Sequence, residues 1–254
     1  RTMTNIADRL REHARARPDH PAIIDGPRTI RYSDLDDLVQ RTAAVLRGAG
    51  VGTRDIVGLC LRDSADHLVL HFAVARLGAV ILPMDVRWTG AEKTRVAGHF
   101  GARLVVVEPA DALAEDRDVL MIDDEWPRSV AAANAEQSFP GDSSLPLVLS
   151  LSSGTTGRPK GPMISHHHML ARFENQRVNL TFRAKDRYLS ATPLYFGAGR
   201  HFALGYLFAG ASVVLFPPPF EAQAFVEAVA ATAASVTIVV PTVLRRLLEM
   251  PARP

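Results

Sequence analysis

The residues best suited to chemistry lie together in one short segment, Ser152-Ser153-Gly154-Thr155-Thr156-Gly157-Arg158-Pro159-Lys160-Gly161. This segment holds four hydroxyl side chains, three glycines, one lysine and one arginine. Glycine lets the backbone take positive φ and approach a ligand closely. Hydroxyl and free N–H groups donate hydrogen bonds to phosphate oxygens, and a lysine adds a positive charge. The composition therefore predicts a phosphate-binding loop.

The spacing differs from that of the common P-loop, in which a glycine stands directly before the lysine and a hydroxyl residue directly after it. Here Pro159 precedes Lys160 and Gly161 follows it, so the hydroxyl that binds Mg²⁺ in P-loop proteins is missing from its place. This argues against a GTPase or a P-loop kinase. The alternative without chemistry is a flexible surface loop, because serine, threonine and glycine are common in such loops. A lysine behind a proline at the end of a buried strand favours phosphate binding.

Alternating strand and helix patterns around this loop predict an α/β fold. Residues 56–61 are apolar without polar alternation, which is typical of a strand covered on both faces in a parallel sheet. A helix follows, with Ser64 as its N-cap. Further strands are predicted at 79–84, 103–107, 145–151, 188–191, 212–216 and 236–240. Further helices are predicted at 89–100, 165–178, 196–209 and 221–234, and a last one begins at Pro241.

Three other stretches carry local signals. Ser33 and Asp36 are spaced like a capping box at the start of a helix that ends near Gly48. Residues 1–17 are rich in arginine but interrupted by acidic residues, which predicts an amphipathic surface helix rather than a transit peptide. Residues 108–125 are strongly acidic and predict a solvated connection rather than a binding site.

Composition limits the classes of protein. The 254 residues are 47% hydrophobic and 22% charged, with a net charge of +2, so a large core is expected and a nucleic-acid partner is not. Cys60 is the single cysteine, which excludes an internal disulfide and suits a reducing cytoplasm. The apolar stretches 202–216 and 228–244 are too short for membrane spans. No metal site is predicted, because the adjacent histidines 166–168 point in different directions around a helix.

Residues 153–161 resemble the signature loop of the adenylate-forming superfamily, which includes acyl-CoA synthetases, peptide-synthetase adenylation domains and beetle luciferases. Other stretches resemble the family in the same order along the chain. They are Thr29-Ile30-Arg31-Tyr32-Ser33-Asp34-Leu35, Gly78-Ala79-Val80-Ile81-Leu82-Pro83-Met84-Asp85, Pro193-Leu194-Tyr195-Phe196-Gly197-Ala198-Gly199 and Val240-Pro241-Thr242-Val243-Leu244. The resemblance covers nearly the whole chain.

The resemblance implies a fold and a reaction. The fold would consist of two α/β subdomains, one from residues 51–183 and a partial one from residues 1–50 with 184–254. The family's barrel subdomain and C-terminal domain would lie beyond the chain. The reaction would join a carboxylate to ATP, with Mg²⁺, to give an acyl-adenylate and pyrophosphate. A thiol would then take the acyl group, with coenzyme A expected and a carrier-protein thiol as the other acceptor.

The resemblance also assigns residues to roles. Lys160, Thr155 and Thr156 would be catalytic. The nucleotide phosphates would be held by Ser152, Ser153, Gly154, Thr155, Thr156, Gly157, Lys160 and Gly161. Substrate binding is expected of Tyr195, Phe196, Gly199, Arg200 and His201, although aromatic residues at this spacing also suit a core and the last two suit a solvated helix start. The family pattern departs at Phe196, which replaces a histidine, and at Pro162, which lacks an N–H donor.

Two alternatives remain open. The peptide-synthetase branch is less favoured, because its counterpart of residues 193–196 carries an aspartate that is missing here. A non-catalytic nucleotide- or partner-binding module is the other alternative, and the full coding sequence would distinguish it from an enzyme. The chain alone is expected to be inactive, because the family's ribose-binding aspartate and C-terminal lysine fall outside it, and to self-associate where a missing subdomain leaves apolar surface.

Overall fold

The computed structural model describes residues 4–110, 113, 118–135, 139–151, 161–216 and 218–250. Its strands are β1 (Pro21–Asp25), β2 (Arg28–Arg31), β3 (Ile56–Cys60), β4 (Val80–Pro83), β5 (Leu104–Val107), β6 (Val119–Met121), β7 (Pro146–Leu149), β8 (Met163–Ser165), β9 (Arg187–Ser190), β10 (Ser212–Leu215) and β11 (Val236–Thr237). Its helices are α1 (Asp8–Ala16), α2 (Tyr32–Gly48), α3 (Ala65–Arg76), α4 (Gly90–Phe100), α5 (Trp126–Ala132), α6 (His166–Asn179), α7 (Gly197–Ala209), α8 (Ala222–Thr232) and α9 (Pro241–Leu248). The predicted α/β fold is confirmed.

The larger sheet has the strand order β6-β5-β3-β4-β7-β8 and is parallel except for β8, which runs antiparallel to β7. Both of its faces are covered. Val80 and Leu82 pack with Val96 of α4, while Val57 and Ile81 belong to the main core on the opposite face. Burial on both faces explains why these strands read as continuous apolar runs.

The smaller sheet has the order β11-β9-β10-β1-β2, in which β2 is antiparallel to β1 and the other pairs are parallel. It joins distant parts of the chain, because Ile23 and Ile24 of β1 pair with Val213 and Val214 of β10. The sequence did not predict β1 and β2 as strands. Residues 21–31 and 187–237 thus build this sheet and residues 56–165 the other, whereas the division into subdomains at residues 51 and 184 stays a prediction.

Helix α3 lies between the two sheets and contacts β1, β3 and β4. Its start follows the sequence signal, because the Ser64 side chain accepts a hydrogen bond from the His67 N–H at 3.1 Å. Helix α4 likewise begins with a capping box between Thr89 and Glu92 and ends at Gly101, whose φ is +67°. The predicted N-terminal amphipathic helix is α1, which buries Leu10.

The predicted capping box at Ser33 is wrong. Helix α2 begins at Tyr32 without a side-chain cap, and the Ser33 hydroxyl donates to the Pro18 carbonyl at 3.0 Å. Asp36 forms a buried ion pair with Arg76 of α3 instead of bonding the helix start. Both side chains thus have tertiary partners that the local pattern does not reveal.

The acidic stretch 108–125 is more than a solvated connection, since its described part contains β6, which pairs with β5 at the edge of the larger sheet. Two acidic residues of the stretch are paired: Glu108, directly after β5, with Arg62, and Asp118, directly before β6, with Arg103. Among the described residues, no helix is both long and apolar enough to cross a bilayer.

Candidate functional site

Strands β7 and β8 hold the two ends of the predicted phosphate-binding loop. Leu149 pairs with Met163 in the antiparallel ladder, and the Ser150 N–H donates to the Pro162 carbonyl at 2.9 Å. Residues 152–160 lie outside the described residues, so the roles assigned to them stay predictions. Those residues include Lys160, Thr155, Thr156, Ser152, Ser153, Gly154 and Gly157. The missing N–H of Pro162 is tolerated because it stands just before a short strand.

Gly161 is the one predicted phosphate-loop residue that the structure describes. A Cβ at this position would lie 3.0 Å from Leu149 Cδ2 and 3.0 Å from Phe100 Cε1 at the end of α4. These distances are tighter than ordinary van der Waals contact, so the absence of a side chain lets the loop end pack against the larger sheet. A contact of Gly161 with phosphate remains a prediction.

The segment between β9 and α7 carries the aromatic residues predicted to bind substrate. Its backbone is fixed by Asp63, whose Oδ1 accepts a hydrogen bond from the Leu194 N–H at 2.8 Å. It is fixed again by Arg200, whose Nη1 donates to the carbonyls of Leu194 and Tyr195 at 3.2 and 3.3 Å. Gly199 packs so close that an added Cβ would lie 2.3 Å from the carbonyl oxygens of residues 192 and 193.

Asp63 was not found from the sequence. It stands three residues after the end of β3, near the carboxyl end of a parallel strand, where ligand-binding and loop-holding residues of α/β sheets collect. That position is the signal that could have revealed it. Burial raises the pKa of the Asp63 carboxyl to about 6, the Leu194 N–H opposes this shift, and the nearby Asp25 adds to it.

Tyr195 and Phe196 lie beside a second group that the sequence did not predict. The Arg87 guanidinium is 5.5 Å from the centre of each ring, and the ring centres are 4.7 Å apart. Arg87 is in turn held by Asp85 at 2.7 Å, and both follow the end of β4. Arg87, which follows β4 of the larger sheet, thus meets two aromatic residues that follow β9 of the smaller sheet.

Three of the five predicted substrate residues line cavities, and they are divided between two of them. Arg200 and His201 line a cavity of about 500 Å³ between α6, α7 and the β7–β8 pair. Phe196 lines a smaller cavity of about 250 Å³ at the carboxyl ends of β9 and β10, together with Thr192 and Phe216. Gly199 packs against residues 192 and 193, and Tyr195 makes a tilted ring contact with Phe196.

The larger cavity combines apolar walls with donors. The described residues that line it are Val148, Ser150, Ile164, Met169, Arg172, Gln176, Gly197, Ala198, Arg200, His201, Phe202 and Leu204. Arg172 and Gln176 come from α6, and sequence reasoning did not single them out. Ser150 stands two positions before the predicted phosphate-binding loop, so a ligand in this cavity would lie next to the loop's first stem.

The electrostatics of this cavity are dominated by arginine. Arg172 Nη1 lies 3.1 Å from His201 Nδ1. Burial, then the charges of Arg172 and Arg200, lower the pKa of His201 to about 4, so this imidazole is neutral at pH 7. Burial alone lowers the pKa of Arg200 to about 10, which leaves its guanidinium charged at that pH. The cavity is therefore cationic.

Two sheets joined by α3, with a hydroxyl- and glycine-rich segment between β7 and β8 and a cationic cavity at the first stem of that segment, define an α/β domain. The chain belongs to the AMP-binding enzyme family, whose model matches residues 10–254.

Among curated proteins, the chain is 30% identical to an indoleacetate–CoA ligase of Aromatoleum aromaticum over 97% of this chain and 51% of the ligase. It is 33% identical to the phosphinothricin tripeptide synthetase PhsC of Streptomyces viridochromogenes over 62% of this chain and 15% of that protein. The chain thus spans about half the length of the ligase and a small part of the synthetase.

Solved structures share the fold. The N-terminal domain of FACL13 from Mycobacterium tuberculosis superposes with a TM-score of 0.91 at 23% identity, over 98% of this chain and 66% of that one. Apo MatB from Rhodopseudomonas palustris superposes with a TM-score of 0.87 at 25% identity, over 98% of this chain and 52% of that one. These matches agree with the fold predicted from the sequence resemblance.

Proposed function

We propose that the whole protein activates a carboxylic acid with ATP and transfers the acyl group to a thiol. The observation that carries this proposal is the cavity between α6 and α7, which has apolar walls, contains two arginines and adjoins Ser150 at the stem of the loop. Family membership supports the same reaction. An acid bound there would lie beside the segment whose hydroxyls, glycines and lysine suit the phosphates of ATP.

The proposed reaction has two displacement steps. A carboxylate oxygen attacks the α-phosphorus of ATP, and the bond to the leaving pyrophosphate breaks. The thiol sulfur then attacks the acyl carbon, the bond to AMP breaks, and the thiol proton is lost to solvent. The first step brings an anion against a polyanion, so positioning and positive charge must supply much of the catalysis. Lys160, Thr155 and Thr156 would stabilise the departing phosphates, and ATP would enter with Mg²⁺, to which we assign no described residue.

The segment between β9 and α7 would position the acid. It is held from the larger sheet by Asp63 and from α7 by Arg200, so its aromatic residues keep a fixed place between the two cavities. A rigid segment is the expected device here, because adenylation requires the carboxylate to reach the α-phosphorus in line with the leaving group. Phe196 would then influence which acyl groups fit.

Coenzyme A is the proposed acceptor, since an indoleacetate–CoA ligase and the medium/long-chain fatty-acid–CoA ligase FadD6 of Mycobacterium tuberculosis are among the relatives. A carrier-protein thiol is the competing acceptor, supported by the peptide-synthetase relatives. A thioester assay with coenzyme A and a phosphopantetheinylated carrier protein in parallel distinguishes the two. Higher turnover with the carrier protein would contradict the choice of coenzyme A.

The adenylation step is tested by carboxylate-dependent ATP–pyrophosphate exchange in the full-length protein, with Lys160→Ala as the variant and Lys185→Ala as its control. Lys185 is an exposed lysine outside the predicted loop. Loss of one charge-assisted contact should cost about 1.5–3 kcal/mol, which is on the order of 10- to 150-fold in rate. The control should exchange at the unmodified rate. No exchange with any acid of a broad panel would refute the proposed function.

A further inference from the structure

The larger cavity carries more positive charge than an apolar acid requires. This excess charge indicates which acids the protein would activate, an inference that rests on the proposed function. Arg172 and Arg200 both line the cavity, and the residues of the described structure that line it include no aspartate or glutamate. Glu174 is the acidic residue of α6, and it is paired with Arg177 rather than with either cavity arginine. The charge of the cavity is therefore not neutralised from its own walls.

Arg200 shows the imbalance most clearly. This residue is 9% exposed, and the partners found for its Nη1 are the backbone carbonyls of Leu194 and Tyr195. No carboxylate lies within ion-pair distance of it in the described part of the chain. A buried guanidinium without a counter-charge is costly, and an anionic ligand would compensate for that cost.

His201 holds Arg172 in the cavity wall. The imidazole accepts from Arg172 at Nδ1, which places the proton of the neutral ring on Nε2. This Nε2 is buried and has no hydrogen-bond partner among the described residues. Arg172 has four further N–H donors that its contact with His201 leaves available. A guanidinium with free donors suits a carboxylate, which accepts hydrogen bonds at both oxygens.

The carboxylate that reacts with ATP is a poor match for this group. A carboxylate held by charge-assisted hydrogen bonds from arginine has its charge stabilised, which makes it a weaker nucleophile toward phosphorus. The arginines also stand on α6 and α7, outside the predicted phosphate-binding loop. A second, unreactive anionic group of the acid gains from the same contacts without this loss.

The rest of the cavity suits a short hydrocarbon segment. Val148, Ile164, Met169 and Leu204 line it together with the arginines, so apolar surface and donors share one space of about 500 Å³. We propose that this cavity selects acids that carry a second carboxylate, which Arg172 and Arg200 bind while the first carboxylate reacts.

The test compares acids of equal carbon number. Binding of glutarate and of pentanoate to the chain is measured by isothermal titration calorimetry at pH 7, where both carboxylates of glutarate are ionised. Glutarate is expected to bind on the order of tenfold more tightly, as one charge-assisted contact implies. The variant Arg172→Gln should remove that preference while changing pentanoate binding by less than about twofold.

The matched control is Arg177→Gln, an exposed arginine on the same helix that is paired with Glu174. It should keep the preference for glutarate. Unfolding curves of both variants check that each is folded. Equal binding of glutarate and pentanoate, or an equal loss of both in Arg172→Gln, would overturn the inference. The inference would also be overturned if pyrophosphate competed with glutarate and lost as much affinity as glutarate does in Arg172→Gln, because the cavity would then be a phosphate site.

Two separate measurements distinguish a failure of this inference from a failure of the proposed function. ATP–pyrophosphate exchange in the full-length protein reports whether any acid is activated, whereas the glutarate preference reports what the cavity recognises. Exchange supported by monocarboxylates with glutarate inert would keep the proposed function and refute the inference. A glutarate preference without exchange would keep the dicarboxylate recognition and refute the proposed function.

Discussion

Replacing Gly199 with alanine tests whether the segment between β9 and α7 is rigidly packed. A Cβ at this position would lie 2.3 Å from the carbonyl oxygens of Thr192 and Pro193, and 2.9 Å from the carbonyl carbon of Pro193. These are backbone atoms, so no side-chain rotation relieves the contact. Separation to an ordinary carbon–oxygen contact would require a shift of about 1 Å.

The surroundings resist this shift. The segment is tied to Asp63 through the Leu194 N–H and to Arg200 through two carbonyls. Forced overpacking costs about 1–3 kcal/mol, and loss of one charge-assisted hydrogen bond costs about 1.5–3 kcal/mol. Alanine in place of glycine within a helix stabilises the fold by up to about 1 kcal/mol, which offsets part of this loss. We expect the free energy of unfolding to fall by about 2–4 kcal/mol.

The assay is urea-induced unfolding at pH 7, with Gly197→Ala as the matched control. Gly197 is the first residue of the same helix, and an added Cβ would meet nothing within 4 Å. The control should match the unmodified chain to within about 0.5 kcal/mol. The thermal midpoint of Gly199→Ala should fall by roughly 5–15 °C, given about 2–4 °C per kcal/mol for chains of this size. Equal stability of the two variants would show that residues 192 and 193 move freely, which would refute the rigid-segment argument.

Three further predictions concern the same region and the chain surface. Burial raises the pKa of Asp63 to about 6 from 3.8, so folding favours its protonated form and its contribution to stability falls as the pH rises from about 4 to 6. In urea unfolding, the free energy of unfolding of Asp63→Asn should therefore equal that of the unmodified chain near pH 4 and exceed it by up to about 3 kcal/mol at pH 7. A difference in this free energy that stays constant from pH 4 to pH 7 would contradict the raised pKa. Phe196→Ala should reorder kcat/KM among acids in the full-length protein with little change in ATP affinity, because Phe196 lines the smaller cavity; an equal loss for every acid would argue against a selective role. Leu244 and Leu248 of α9 are 48% and 77% exposed, so light scattering should show that the chain self-associates at high concentration. Replacing both leucines with glutamate should abolish the self-association, and a monomer at all concentrations of the unmodified chain would refute the prediction.

Local signals in the sequence determined much of the architecture. The capping serine of α3 and the apolar runs of β3 and β4 act over a few residues, so they predict elements without knowledge of the fold. The composition of residues 152–161 predicted phosphate chemistry in the same way, and its resemblance to a known signature predicted the family that the comparisons show.

Tertiary structure alone decided which distant residues meet. Strand β1 has its partner in β10, and α2 begins without the predicted cap because Ser33 bonds Pro18 and Asp36 pairs with Arg76. Such partners depend on chain segments far apart in sequence, and no local spacing encodes them.

The site follows the same division. The sequence indicated Phe196, Arg200 and His201 as one substrate group, yet the fold places Phe196 at a different cavity from the other two. It also brings Arg172 to His201 from another helix and Asp63 to Leu194 from the other sheet. The functional groups available near the loop could be read from the sequence, because each residue type has its own functional group. Their grouping into cavities could not, because it arises from how α6, α7 and the two sheets pack.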